Sequence, residues 1–186
     1  MARPGRAAAV AIVAFGSVAA LSIAPAGGAP AGLRDAASLP ARPIDAKLER
    51  LEGGRLRLSE LRGRPVLLDL WATWCLPCRD QARIVHEAAD ELTARSVEVL
   101  AVNQGEREKL VREFVAANPS RFPVVLDPLQ TLGARLDVGE LPALVLLDRD
   151  GRVVAVREGL TKRPELLALL EEGDGGGPAA PGPRTE

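Results

Sequence analysis

VLLDLWATWCLPC, running from Val66 to Cys78, decides how the rest of the chain is read. The nearly unbroken apolar run from Val66 to Trp71 suits a strand buried on both faces. It passes through Ala72, Thr73 and Trp74 into Cys75-Leu76-Pro77-Cys78, and a helical pattern follows, with Val85, Ala88, Ala89 and Leu92 on one face. Two cysteines therefore lie where a buried strand ends and a helix begins, the carboxyl edge where open α/β sheets place their chemistry.

The spacing of Cys75 and Cys78 has a physical reason. Residues three apart on a helix share a face, with Cβ atoms about 5–6 Å apart, and a small adjustment brings them within disulfide reach. A helix N-terminus offers unpaired N–H groups and the positive end of the dipole, both of which stabilise a thiolate at Cys75. Pro77 fits the first turn, where its missing N–H costs nothing. Asp80 suits the same dipole, although its charge slightly opposes the thiolate. A structural bridge across two residues closes almost no loop and adds little chain-entropy stabilisation. A zinc site needs about four ligands, and this chain has 2 cysteines and 1 histidine. A redox-active dithiol is the reading that remains, with no metal and no cofactor.

WATWCLPC resembles the TlpA/ResA group of exported, thioredoxin-like thiol-disulfide oxidoreductases, whose usual form is FWATWCxPC. The resemblance covers about residues 43 to 172. It includes Leu58-Ser59-Glu60-Leu61-Arg62-Gly63-Arg64-Pro65, similar to the group's L-S-x-L-x-G-K-P phrase. It implies that Leu141–Pro142 is a cis peptide facing the cysteines, with a backbone that receives an extended substrate segment. The group's usual G-x-P-T phrase has Ala143 here in place of Thr. Two further departures follow Cys78. Gln81 replaces an acid that tunes the thiols, and Arg83 replaces a proline that kinks the helix, so a straighter helix is expected.

Asp69 is the one charged group inside the buried strand, which should raise its pKa. It sits where thioredoxins carry a buried acid, although many TlpA-like proteins have Asn there. The resemblance gives it the role of taking the proton from Cys78 as that thiol attacks a mixed disulfide. The alternative is a structural Asp facing a polar neighbour or water. Trp74, beside Cys75, reads as a lid and contact surface, and Trp71 as core. Leu76 and Pro77 tune the redox potential without revealing its sign. His86 reads as a solvent-facing or capping residue. A copper chaperone of this fold would use CxxxC with a distal histidine. A peroxiredoxin would need Thr where Ala72 stands.

Charge is nearly balanced, with 24 Lys and Arg against 25 Asp and Glu, and there is neither the basic patch nor the aromatic ladder that nucleic-acid binding requires. At 186 residues the chain can bury one real core. Arg3 and Arg6 precede an uncharged run from Ala7 to Ala24, and Ala24-Pro25-Ala26 resembles a small-residue cleavage site, with Ala29-Pro30-Ala31 as a second candidate. Residues 1–26 are thus a signal peptide or, if uncleaved, an anchor through residues 7–24. Either version places the domain outside the cytoplasm, in a periplasm. Arg3 and Arg6 are not adjacent, which argues against a twin-arginine signal.

Residues 27–43, rich in Ala, Pro and Gly, read as a flexible linker, residues 44–172 as the domain, and residues 173–186 as a disordered tail. Within the domain, Lys47–Leu51 and Arg55–Leu58 flank Glu52-Gly53-Gly54 as an edge hairpin. Strands are expected at Val97–Val102 and Phe122–Leu126. Helices are expected at Glu106–Ala117, with Leu110, Phe114 and Val115 as the apolar stripe and a solvated Glu-Arg-Glu-Lys run, and at Leu129–Leu136. Ala143–Leu147 and Val153–Val156 flank the hairpin turn Asp148-Arg149-Asp150-Gly151, and Thr161–Glu172 closes the chain as a helix.

This order implies an α/β thioredoxin-like fold, a central mixed sheet flanked by helices with an extra N-terminal hairpin and a central insertion. The expected activity is disulfide reduction. Cys75 attacks a substrate disulfide and Cys78 resolves it. The resemblance implies exported disulfide-containing substrates such as apocytochrome c, a membrane electron donor such as a CcdA/DsbD-like protein, and a monomer. An oxidant or isomerase, and a binding module or metallochaperone on the same scaffold, are the alternatives.

Overall fold

The strand β3, Val66–Trp71, lies inside a single seven-stranded sheet of order β2-β1-β5-β4-β3-β6-β7. Its companions are β1 (Lys47–Arg50), β2 (Arg55–Arg57), β4 (Glu98–Gln104), β5 (Val124–Asp127), β6 (Ala143–Leu147) and β7 (Val153–Glu158). The helices are α1 (Leu76–Glu87), α2 (Ala89–Ala94), α3 (Glu108–Ala117), α4 (Thr131–Arg135) and α5 (Arg163–Asp174). This computed structural model describes residue 34, residues 39–40 and residues 42–174. The expected signal or anchor and nearly all of the expected tail lie outside the described residues. Among the described residues no helix is long and apolar enough to cross a membrane.

β3 pairs in parallel with β4 and antiparallel with β6, so the sheet is mixed as expected. Alternation along the strand then sorts its side chains. Val66, Leu68 and Leu70 enter a core with Leu48, Leu56, Leu100, Val145 and Leu147. Leu67 enters the opposite core, with Val85 of α1, Leu92 of α2 and Leu166 and Leu170 of α5. Asp69 has the parity of Leu67, so the strand aims its carboxyl at the layer that contains α1. The units β3-α1-α2-β4 and β6-β7-α5 are separated by α3, β5 and α4, which hold the expected central insertion. The N-terminal hairpin is more than decoration, because β1 pairs antiparallel with β5 and Leu48 and Leu56 join the core.

Several local expectations change. The apolar face Val85, Ala88, Ala89 and Leu92 is buried as read, but not on one straight helix. Arg83 leaves α1 unbroken at its own position. The interruption comes at Ala88 (φ −89°, ψ 8°), whose N–H still reaches Ile84 O at 3.1 Å. On α3, Val111 is the fully buried residue, Phe114 and Val115 are half-buried and Leu110 is exposed. The inward stripe is therefore i, i+3, i+4 counted from Val111. The expected flexible linker is also docked in places. The Arg34 N–H donates to Val156 O of β7 (3.0 Å), and its guanidinium donates to Leu136 O (3.0 Å) and Asp137 O (2.7 Å) just beyond α4. Carbonyls at a helix C-terminus lack intrahelical partners, and a cation satisfies them well. Leu39 packs against the main core.

Candidate active site

The end of β3 gathers the site. Its register with β6 sets Leu70 opposite Ala143, so the residue preceding Ala143, Pro142, reaches the edge where the chain turns into the cysteine loop. The Leu141–Pro142 bond is cis. Pro142 O accepts the Gly159 N–H at 2.8 Å, and Leu141 packs against Cys75, Cys78 and Ala72. Ala143 is fully buried in β6 and serves the core.

Cys75 is the N-cap of α1, in an extended conformation (φ −81°, ψ 101°), and its Sγ accepts the Cys78 N–H at 3.2 Å. Cap positions use a side-chain acceptor in this way, and the same unpaired N–H groups stabilise a thiolate when the sulfur is ionised. Cys75 and Cys78 are joined as a disulfide, with Cα atoms 5.3 Å apart. Both are shielded, at 3% and 4% exposure, whereas Trp74 and Leu76 beside them stand out at 68% and 69%. Pro77 occupies the first turn of α1.

Asp69 lies beneath α1 at 5% exposure, and its Oδ1 has no hydrogen-bond partner among the described residues. Burial alone pushes its pKa from 3.8 up to about 7. Asp69 and Cys78 together line one cleft of about 470 Å³ between α1 and α3, whose walls include Trp71, Ala82, Phe114 and Val115. Cys75 is not among the residues lining that cleft. Trp71 is half-buried against Phe114, with ring centroids 5.5 Å apart.

Gln81 commits its side-chain oxygen to another element. It is fully buried, and its Oε1 accepts the Thr161 N–H at 2.7 Å, tying α1 to the loop before α5. His86, expected to face solvent or cap a helix, is half-buried in the last turn of α1. Its Nε2 accepts the Arg121 N–H at 3.3 Å and its ring packs on Phe122, with burial first and Arg121 second lowering its pKa.

One group escaped the sequence reading. Glu106, assigned to a solvated charge run, is 8% exposed. Its Oε2 accepts the Thr73 N–H (2.8 Å) and the Asn103 side-chain amide (2.6 Å), and its Oε1 accepts the Thr73 hydroxyl (2.6 Å). The signal that could have found it is position: Glu106 closely follows a buried strand at the sheet edge that carries the cysteines.

The match to known proteins agrees with this geometry. Residues 41–156 match the AhpC/TSA family. The thiol-disulfide oxidoreductase ResA of Geobacillus thermodenitrificans is 34% identical over 127 residues, 68% of this chain and 73% of that protein. ResA of Bacillus cereus is 33% identical over 122 residues, 66% of this chain and 70% of that protein. Among solved structures, the exposed lipoprotein thioredoxin Etrx1 of Streptococcus pneumoniae superposes with a TM-score of 0.63 at 27% identity, over 69% of this chain and 99% of that one. In this chain a buried strand delivers a Cys-x-x-Cys pair to a helix N-terminus beside a cis-proline, and by these matches the chain belongs to the AhpC/TSA family as a thioredoxin-like thiol-disulfide oxidoreductase of the ResA type.

Proposed function

We propose that this enzyme works as an exported reductant of protein disulfides. In the forward direction the Cys75 thiolate attacks one sulfur of a substrate disulfide, forming a mixed disulfide and releasing the first substrate thiolate. Asp69 takes the proton from Cys78, whose sulfur attacks Cys75 Sγ. The second substrate thiolate leaves, and the enzyme is left with the Cys75–Cys78 disulfide. Trp74, Leu141 and cis Pro142 offer the polypeptide around the substrate disulfide an apolar surface and a backbone edge. Leu76 and Pro77 set the potential from the first turn of α1. A thiolate-supplying membrane protein of the CcdA/DsbD-like kind reduces the pair again. The substrates are exported disulfide-containing proteins, apocytochrome c among them. Residues 1–26 direct the domain to the periplasm, by a cleaved signal or as an anchor.

The observation that carries this reading is the shared cleft of Asp69 and Cys78. A carboxyl with a pKa near 7 is matched to a thiol of ordinary pKa about 8.5. Such a base serves the step that resolves a mixed disulfide, which completes substrate reduction. An oxidant or isomerase draws support from one other observation. Cys75 at the N-cap favours its thiolate, and stabilising the reduced form makes a pair more oxidising. The reduction potential of the Cys75/Cys78 pair separates the two. A value near that of thioredoxin, about −270 mV, supports the reductant, and one near −120 mV supports the oxidant.

A further inference from the structure

Where β3 ends, Trp71 lies opposite Asn103 of β4, and the sheet stops supporting the chain just before the loop that carries Trp74 and Cys75. Backbone polar groups beyond that point need other partners. Glu106 supplies one set. Three donors converge on its buried carboxylate: the Thr73 N–H, the Thr73 hydroxyl and the Asn103 amide. Asn103 is itself fully buried, so this anchor is fixed to the sheet. Trp74 is exposed and takes its direction from the backbone on either side. On one side Thr73 is held by Glu106. On the other, the Cys75 N–H donates to Ala72 O at 3.2 Å, and Cys75 Sγ caps α1.

We infer that Glu106 is a positioning residue of this active site, fixing Thr73 so that Trp74 and Cys75 meet a protein substrate in one geometry. The inference rests on the thiol-disulfide exchange reading. Glu106 acts through Thr73 and Asn103. Its effect falls on large substrates, which need the loop and the sulfur placed together, more than on small dithiols, which need the sulfur alone.

Three variants separate hydrogen bonding from charge. Glu106→Gln keeps an oxygen for the Thr73 N–H and the Asn103 amide, and its NH₂ group donates to the Thr73 hydroxyl. All three bonds persist and the charge is lost. Glu106→Ala removes all three, and Thr73→Val removes one. Made in a Trp71→Phe background, each leaves Trp74 as the sole tryptophan, since the chain has 2. For Glu106→Ala, Trp74 fluorescence anisotropy should fall and kcat/KM for a protein disulfide should drop at least about tenfold, mainly through KM, with the rate toward a small dithiol within about twofold. Glu106→Gln should stay within about twofold of the parent in every readout, and Thr73→Val should fall between. Parent-like anisotropy and KM in Glu106→Ala would overturn the inference, as would a Glu106→Gln variant as impaired as Glu106→Ala. If circular dichroism shows Glu106→Ala unfolded, Thr73→Val decides, and parent-like anisotropy and KM in that variant overturn the inference. Failure of the exchange reading looks different: the parent itself would not turn over, while the anisotropy comparison would still read the anchor.

Discussion

The Cys75–Cys78 pair has two unlike sides. In front, Trp74 and Leu76 stand in solvent beside Leu141 and cis Pro142. Behind, Asp69 is buried beneath α1 and lines a cleft that Cys78 also lines. The front is apolar, exposed and adjacent to Cys75. The rear holds a buried, ionisable carboxyl on the cleft that Cys78 lines. In the proposed mechanism one strand-to-helix junction thereby gives the two thiols different tasks, contact for Cys75 and proton transfer for Cys78.

The largest expected effect tests that division directly. Cys75→Ser should lower turnover of a protein disulfide by at least about 1,000-fold, because no sulfur remains on the contact side. Cys78→Ser should still make the first attack and accumulate mixed disulfides through Cys75, visible by mass on a non-reducing gel. Full turnover by Cys75→Ser would remove the asymmetry altogether.

Asp69→Asn breaks the rear alone. Resolution of the mixed disulfide should slow by roughly 10- to 100-fold at neutral pH and recover as rising pH ionises Cys78 directly. Formation of the mixed disulfide should change less. Stopped-flow measurement showing an unchanged resolving rate from pH 6 to 9 would return Asp69 to a structural role. The same substitution has a thermodynamic signature, best read on the oxidised protein, in which neither cysteine titrates. The folded pKa of about 7 exceeds the ordinary 3.8, so the folded protein retains a proton that the unfolded chain has released. The contribution of Asp69 to stability should therefore be greatest below about pH 4, be lost as pH rises to about 7 and then level off, a change of up to about 4 kcal/mol. Asp69→Asn should flatten that slope and be the more stable protein at pH 8. Denaturant unfolding at several pH values reads the difference.

Trp74→Ala tests the front alone. Loss of an exposed aromatic contact should lower kcat/KM for a protein substrate by about tenfold. The resolving step and the stability should hardly move. A slower resolving step would mean that the two sides are coupled through the loop.

How legible these sides were in the sequence follows from the kind of signal each leaves. The apolar run into Cys-x-x-Cys, the Asp-Gly turn and the order of strands and helices are local patterns, and they placed β3, α1 and the closing hairpin. Resemblance supplied the cis bond at Pro142, which no local pattern distinguishes from an ordinary trans proline. Asp69 was visible because it interrupts an apolar strand. Glu106 was not, because it opens a run of charges and only its inward turn after β4 separates it from exposed Arg107, Glu108 and Lys109. The docking of Arg34 was equally hidden. Its partners are backbone carbonyls and the Asp137 carboxylate about a hundred residues away, and no local pattern links such distant groups.

Gln81 sharpens the comparison at its smallest scale, because it is fully buried on α1 one turn beyond Cys78 and replaces an acid of the TlpA/ResA pattern. Its Oε1 holds the Thr161 N–H at 2.7 Å, while its Nε2 is buried with no partner among the described residues. A Glu at this place would keep the acceptor for Thr161 and exchange the unpartnered NH₂ for a carboxyl oxygen. While that carboxyl is protonated, Gln81→Glu should match wild type in stability. As pH rises, ionisation of a fully enclosed group becomes unfavourable, and the variant should lose about 1–3 kcal/mol relative to wild type by pH 8. Disulfide exchange should change by less than about threefold, since the side chain is committed to the loop before α5. Thiol alkylation across pH is the decisive measurement. A Cys75 titration unmoved by Gln81→Glu confines thiol tuning to the helix N-terminus and Asp69. A clear upward shift would show that position 81 reaches the sulfur electrostatically through the helix, and that the rear of the site extends further along α1 than its hydrogen bonds indicate.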